Sequence, residues 1–253
     1  MEFGDLQTMG WVYLLFAAFI QGMSKGGIPG IGIMAIPFVA MVIPGKASTG
    51  LVLPMLVVGD LFALAYWRKS LSVPDLLRAL PWAIFGVVVG WFLLGKIQDS
   101  QMKPIIGWTV LFILAIHVMR RIRSARNPNQ KEITGPAKYL FPAFMGSLGG
   151  VTTMLANAAG PVIGAYLLSL KLSKATFLGT SAWFCFIVNW IKVPFMAQQG
   201  MITQASLKIN FFMIPALVIG VTTGVFIAKR INQKTFDTLV TVLAALASIR
   251  LLF

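Results

Sequence analysis

The feature that most constrains this chain is a series of apolar runs, separated by short polar turns. A helix needs about 20 apolar residues to cross the hydrocarbon of a bilayer. The chain of 253 residues is 58% hydrophobic and only 11% charged, whereas soluble domains carry about 25% charged residues. The sequence therefore predicts an all-α, polytopic membrane protein. Its candidate segments are residues 9–23, 28–44, 49–67, 76–95, 104–119, 138–149, 157–170, 175–198, 209–228 and 235–252.

The charge distribution predicts the orientation of the chain. Lys and Arg number 21, against 7 Asp and Glu. They fall mostly in short turns between apolar runs, which the positive-inside rule explains without nucleic-acid binding. With the acidic N-terminus outside, most basic residues lie in cytoplasmic turns and the C-terminus also lies outside. We expect a first repeat at 1–120, a cytoplasmic linker at 121–137 and a second repeat at 138–253.

Several classes of function lack the residues they would need. No His or Cys cluster has metal-ligand spacing, and there is no phosphate-binding loop signature. The lone Cys185 cannot form an intrachain disulfide, and His117 is expected at the cytoplasmic membrane interface. The N-terminus lacks the basic leader of a signal peptide, so the first helix is expected to be retained. The sequence predicts no cofactor, no metal and no enzymatic activity.

The two halves resemble each other. Residues 80–97 align with 214–231, and further glycines and prolines recur upstream. Because each half holds five segments, an odd number, the second copy would enter the membrane from the opposite face, a common plan of secondary transporters. The matched positions are Gly22 with Gly146, Gly26 with Gly150, Pro37 with Pro161, Pro81 with Pro215, Gly86 with Gly220, Gly90 with Gly224, and Lys96 with Arg230.

A glycine-rich stretch, "SKGGIPGIG" at 24–32, interrupts the first apolar run. Glycine lowers helix stability and proline removes a backbone donor, so we expect the helix to unwind and restart here. Such a break survives only inside protein or beside water. The restarting half-helix would direct free N–H groups and its positive dipole end at a cavity, which favours anions. Ser24, Lys25, Gly26 and Gly27 are therefore predicted to bind substrate.

The matching stretch of the second copy is "GGVTTMLANAAG" at 149–160. Hydroxyl and amide groups can also donate hydrogen bonds to an oxyanion. The alternative is that both breaks are structural, re-entrant turns without a ligand. The substrate-binding residues predicted in this copy are Gly149, Gly150, Thr152, Thr153 and Asn157.

Three further polar residues lie within apolar runs. An intramembrane carboxylate such as Asp60 is a functional candidate by default, with a hydrogen-bonded or lysine-paired structural role as the equal alternative. The corresponding position of the second copy is near Asn189, which cannot titrate. Lys192 is expected to snorkel outwards in preference to contacting substrate.

These residues resemble the TauE/SafE sulfite exporter family, also called the toluene sulfonate uptake permease group. The glycine run after the first helix, its second copy at 146–161 and the motif Gly179-Thr180-Ser181 carry the resemblance, which covers about 10–250. The first copy departs from the pattern, with Ser48-Thr49-Gly50 in place of Gly-Thr-Ser. The resemblance implies export of small sulfur-containing anions, such as sulfite, sulfoacetate or other organosulfonates, across a bacterial inner membrane.

Two other functions remain open on the sequence. The same scaffold would suit an anion channel, and a non-transporting membrane assembly subunit is the third class. The expected partners are a small anionic substrate and the lipid bilayer, with no nucleic acid, and a homo-oligomer is compatible with the pattern. Facing broken helices favour an occludable site, and therefore a transporter working by alternating access.

Overall fold

The computed structural model describes residues 8–43, 46–96, 98, 100, 108, 137–232, 234–236, 238, 239 and 242. Its regular elements are helices, with no strand among these residues. The predicted segment 104–119 with His117 lies outside the described residues, apart from position 108, as do nearly all of the linker 121–137 and most of 235–252. The helices are α1 (Thr8–Gly26), a 3-10 turn (Ile31–Met34), α2 (Ala35–Val42), α3 (Lys46–Trp67), α4 (Val73–Lys96), α5 (Ala137–Ala156), α6 (Ala159–Ser169), α7 (Lys174–Gln198) and α8 (Gln204–Arg230).

Four of these helices are long and apolar enough to cross a membrane. They match the segments predicted at 49–67, 76–95, 175–198 and 209–228 to within a few residues at each end. The predicted all-α, polytopic membrane fold is therefore confirmed. The four are α3 (from Ala47), α4, α7 and α8.

The second break is shorter than the sequence suggested. Helix α5 does not end at residue 149 but continues to Ala156, leaving only Asn157 and Ala158 before α6. Gly150 is retained in the helix because it packs against α4, where an added Cβ would lie 2.1 Å from the backbone oxygen of Ala83. Small residues allow such close approach of membrane helices, which offsets the low helix propensity of glycine.

Helix α1 packs along α8. Gly22 lies against Gly220, and one turn later Gly26 lies against Gly224, so the two helices run in the same direction. A Cβ at Gly22 would come within 2.1 Å of the backbone oxygen of Leu217. Two helix backbones are therefore in direct contact along this seam.

Helix α5 packs along α4 in the corresponding way. Gly146 lies against Ala79 and Gly150 lies against Ala83, so this pair also runs in the same direction. The first helix of each half is therefore packed on the fourth helix of the other half. The glycines that matched between the halves in the sequence lie in these two seams.

Helices α3 and α7 meet at the middle of the molecule and run antiparallel. An added Cβ at Gly50 would lie 2.1 Å from the backbone oxygen of Met201, and one at Gly179 would lie 2.3 Å from that of Ser70. Because each glycine has no side chain, the turn that follows the other helix packs directly against its backbone. Gly50 performs in the first copy the packing role of Gly179 in the second, despite the changed order of its neighbours.

Candidate functional site: a basic cavity between the two helix breaks

The first break is stabilised by side chains that bond to its backbone. Gly27 and Gly30 have φ values of 151° and 97°, a region that glycine adopts without the strain of a Cβ. Trp67 donates from Nε1 to the carbonyl of Gly26 at 2.8 Å, and Gln21 donates from Nε2 to the carbonyl of Gly32 at 3.0 Å. Because unpaired backbone groups in hydrocarbon cost several kcal/mol each, these bonds make the break tolerable.

The second break is built around one residue, Asn157. Its φ is 54°, a left-handed conformation that asparagine tolerates better than most residues. Its side-chain Nδ2 donates to the carbonyl of Thr49 at 2.9 Å, which ties the break to the first turn of α3. Helix α6 begins two residues later, and its N-cap residue, Ala158, makes no side-chain capping bond.

A cavity of about 70 Å³ lies between the two breaks. A cavity needs at least roughly 10–15 Å³ on this scale to hold one water, so the space is large enough for several water molecules. Its wall includes Ala159 and Gly160 in the first turn of α6, whose backbone N–H groups have no intrahelical partner. The polar side chains on the wall belong to Gln21, Ser24, Lys25, Asp60, Thr153, Asn157, Ser181, Cys185 and Asn189.

An ion pair crosses the cavity wall. Lys25 Nζ lies 2.6 Å from Asp60 Oδ1, and the side chains are 12% and 0% exposed. The other carboxylate oxygen, Oδ2, accepts a hydrogen bond of 2.7 Å from Asn189 Nδ2. The carboxylate is therefore held by Lys25 of the first half and by Asn189 of the second. A lysine-paired aspartate is the arrangement that the sequence offered as the structural alternative for Asp60.

The expected snorkelling of Lys192 is wrong. Its side chain is completely buried, because Nζ turns inwards to bond three neutral oxygens. It donates to Asn157 Oδ1 at 2.6 Å, to Thr153 Oγ1 at 3.1 Å and to Asn189 Oδ1 at 3.4 Å. All three acceptors are on the cavity wall, so the ammonium lies directly behind it.

The formal charges at this centre do not cancel. Lys25 and Lys192 contribute two positive charges and Asp60 one negative charge. Among the described residues, no carboxylate lies within salt-bridge distance of Lys192. Burying a charge without a counter-charge is costly. The centre is therefore electrostatically suited to a negatively charged ligand.

The structure brings only some of the predicted site residues to the cavity. Ser24, Lys25, Thr153 and Asn157 are on its wall. Thr152 is turned away, since its hydroxyl bonds the carbonyls of Leu148 and Gly149 in its own helix. The other predicted residues serve packing: Gly26 and Gly27 against α8, Gly149 against Ile163 of α6, and Gly150 against α4.

Sequence reasoning missed Gln21, Ser181 and Cys185 as wall residues. A signal was present, because Ser181, Cys185 and Asn189 are spaced four residues apart and so lie on one face of α7. Gln21 precedes Lys25 by the same spacing on α1. A polar stripe along one face of an apolar helix was thus readable before the structure.

The helices and the cavity together define a class: a multi-pass helical membrane protein in which two buried lysines and one carboxylate lie between two broken helices. The particular family follows from comparison with known families, because the model of the family Sulfite exporter TauE/SafE matches residues 14–251. The chain belongs to the TauE/SafE sulfite exporter family and is a membrane transporter. No curated protein and no solved structure matched the chain.

Proposed function

We propose that this protein is a secondary transporter that exports small sulfur-containing anions from the bacterial cytoplasm by alternating access. The observation that carries the proposal is Lys192, a fully buried lysine whose Nζ donates to neutral oxygens on the wall of a cavity. A bound anion would supply the missing counter-charge. Ser24, Thr153 and the first turn of α6 would donate hydrogen bonds to its oxygens.

The size of the cavity favours the smallest candidates. About 70 Å³ is enough for several water molecules, which suits a small oxyanion such as sulfite. Sulfoacetate and larger organosulfonates would require the cavity to widen. We therefore place sulfite ahead of the larger sulfonates as substrate.

Alternating access is supported by the exchanged packing of the two halves. The equivalent helices α3 and α7 run antiparallel, and each half's first helix packs on the other half's fourth. This arrangement is what an inverted repeat at 1–120 and 138–253 would produce. Two related halves around one central site can rock against each other and expose it to each side in turn.

The test is sulfite flux in proteoliposomes, with Lys192→Met as the variant. Methionine is unbranched and apolar like the stem of lysine but lacks the terminal ammonium, so we expect saturable efflux to fall by about tenfold or more. Lys208→Met, which removes an exposed lysine at the start of α8, is the matched control and should keep wild-type flux. Single-channel currents in place of saturable, counter-stimulated flux would establish the channel alternative.

A monodisperse Lys192→Met protein with wild-type sulfite affinity and flux would refute the proposed site. Lys192→Met leaves the buried acceptors of Asn157 and Thr153 without their donor, at a cost of about 1–3 kcal/mol. Its melting temperature is therefore measured beside wild type, and loss of flux supports the site only in a variant that remains folded at the assay temperature.

A further inference from the structure

Asp60 is the one acid on the cavity wall among the described residues. It is completely buried at the middle of α3, where its two oxygens are held by Lys25 at 2.6 Å and by Asn189 at 2.7 Å. Because both oxygens are engaged from different helices, the carboxylate is fixed at the centre. Any ligand in the cavity therefore lies close to this carboxylate.

We propose that Asp60 makes the site selective for singly charged anions. This inference rests on the proposed function and specifies the charge class of its substrate. With both lysines protonated and Asp60 ionised, the centre carries one net positive charge. A singly charged anion brings the sum to zero, whereas a doubly charged anion leaves one negative charge buried.

The low-dielectric surroundings make this difference large. Uncompensated buried charge is costly, and charges a few ångströms apart interact much more strongly inside a protein than in water. Sulfite and its relatives occur in singly and doubly charged forms. The shape of the cavity and its hydrogen-bond donors would suit both forms. A site with one net positive charge would therefore distinguish the two forms by their charge.

The second half of the chain provides the internal comparison. Asn189 faces Asp60 and is its counterpart in the repeat, with an amide of nearly the same shape. The position therefore holds a carboxylate in one copy and a neutral group in the other. Asp60→Asn would raise the net charge of the centre to two without changing side-chain volume. The double variant Lys25→Ala/Asp60→Asn removes one charge of each sign and keeps the net charge at one.

The experiment measures binding of methanesulfonate and sulfate to the purified full-length protein by calorimetry. Both anions are tetrahedral and have the same number of heavy atoms, but the first carries one negative charge and the second two. We expect wild type to bind methanesulfonate tighter than sulfate by about tenfold or more. Asp60→Asn should shift this ratio towards sulfate by about tenfold or more, as expected for one added charge at close range.

The double variant Lys25→Ala/Asp60→Asn keeps the inference testable if Asp60→Asn fails to fold. Because its net charge equals that of wild type, it should keep the preference for methanesulfonate while binding both anions more weakly. An unchanged methanesulfonate-to-sulfate ratio in folded Asp60→Asn, or a ratio shifted towards sulfate in the double variant, would overturn the charge role of Asp60. Failure of wild type to bind sulfite, methanesulfonate and sulfate would instead overturn the proposed function itself.

Discussion

The two helix breaks occupy corresponding positions but are built differently. The first extends over Gly27–Gly30 and needs the side chains of Gln21 and Trp67 to satisfy its carbonyls. The second is two residues long and rests on Asn157 alone. A long glycine turn and a single left-handed asparagine are thus two solutions to the same problem of interrupting a membrane helix.

The breaks also differ in how each half supplies charge. In the first half the lysine lies beside the break, at Lys25, and is balanced by Asp60. In the second half the lysine lies on α7, at Lys192, and bonds Asn157 of the break. The glycine contacts of α1 with α8 correspond to those of α5 with α4, but the charges of the two halves do not correspond. The anion centre that we propose takes one lysine from each half.

The largest effect is expected from removing Lys25 while Asp60 stays. Lys25→Ala leaves a buried, unpaired carboxylate, so the free energy of unfolding should fall by about 3–5 kcal/mol. The double variant Lys25→Ala/Asp60→Asn removes both charges and should recover most of that loss. Thermal unfolding in detergent measures the change for each variant.

Sulfite binding separates stability from function in the same pair of variants. The double variant should fold but bind sulfite weakly, because only Lys192 remains. If the double variant were no more stable than Lys25→Ala, the stability lost in Lys25→Ala would not come from an unpaired Asp60. Wild-type sulfite affinity in the double variant would show that Lys25 and Asp60 of the first half are not part of the binding site.

A smaller effect is expected from filling the glycine seam between α4 and α5. Gly150→Ala places a Cβ 2.1 Å from the backbone oxygen of Ala83, so the helices must separate. Overpacking of this kind costs about 1–3 kcal/mol. Gly95→Ala on α4 is the matched control, since an added Cβ there meets no atom within 4 Å.

The melting temperature is the measurement for both alanine variants. Gly95→Ala should remain at or slightly above the wild-type value, because alanine is the better helix former. Equal melting temperatures for the two variants would contradict the close contact between α4 and α5.

The second break can be weakened without changing its backbone. Asn157→Gly permits the same positive φ but removes the amide that bonds Thr49 and Lys192. We expect a loss of about 1–3 kcal/mol for the groups left unpaired, together with weaker sulfite binding. Gln21→Ala in the first break removes one bond, to Gly32, and should have the smaller effect on both.

The mildest perturbation is a chemical label that reports orientation. In a Cys185→Ser background, single cysteines at Ser100 and Asn127 should react with an impermeant thiol reagent from opposite faces, since 121–137 is proposed to be cytoplasmic. Flux of the labelled proteins is the control for folding. Reaction of both positions from the same face would contradict the topology that the inverted repeat requires.

The long helices were predictable because their apolar length alone determines them. The extent of α5 was not, since Gly149 and Gly150 look like helix breakers until the close contact with α4 is known. The direction of the Lys192 side chain was also out of reach. It depends on the rotation of α7 and on acceptors such as Asn157, thirty-five residues away, whereas sequence rules describe only the tendency of lysine to reach water.

The most direct test locates the anion itself. Selenite is a heavy analogue of sulfite, and its selenium gives an anomalous signal in crystals of the protein grown with it. A single anomalous peak within hydrogen-bonding reach of Lys25 and the first turn of α6, removed by excess sulfite, is the predicted result. A sulfite-sensitive peak elsewhere, with the cavity between the breaks left without signal, would contradict the account.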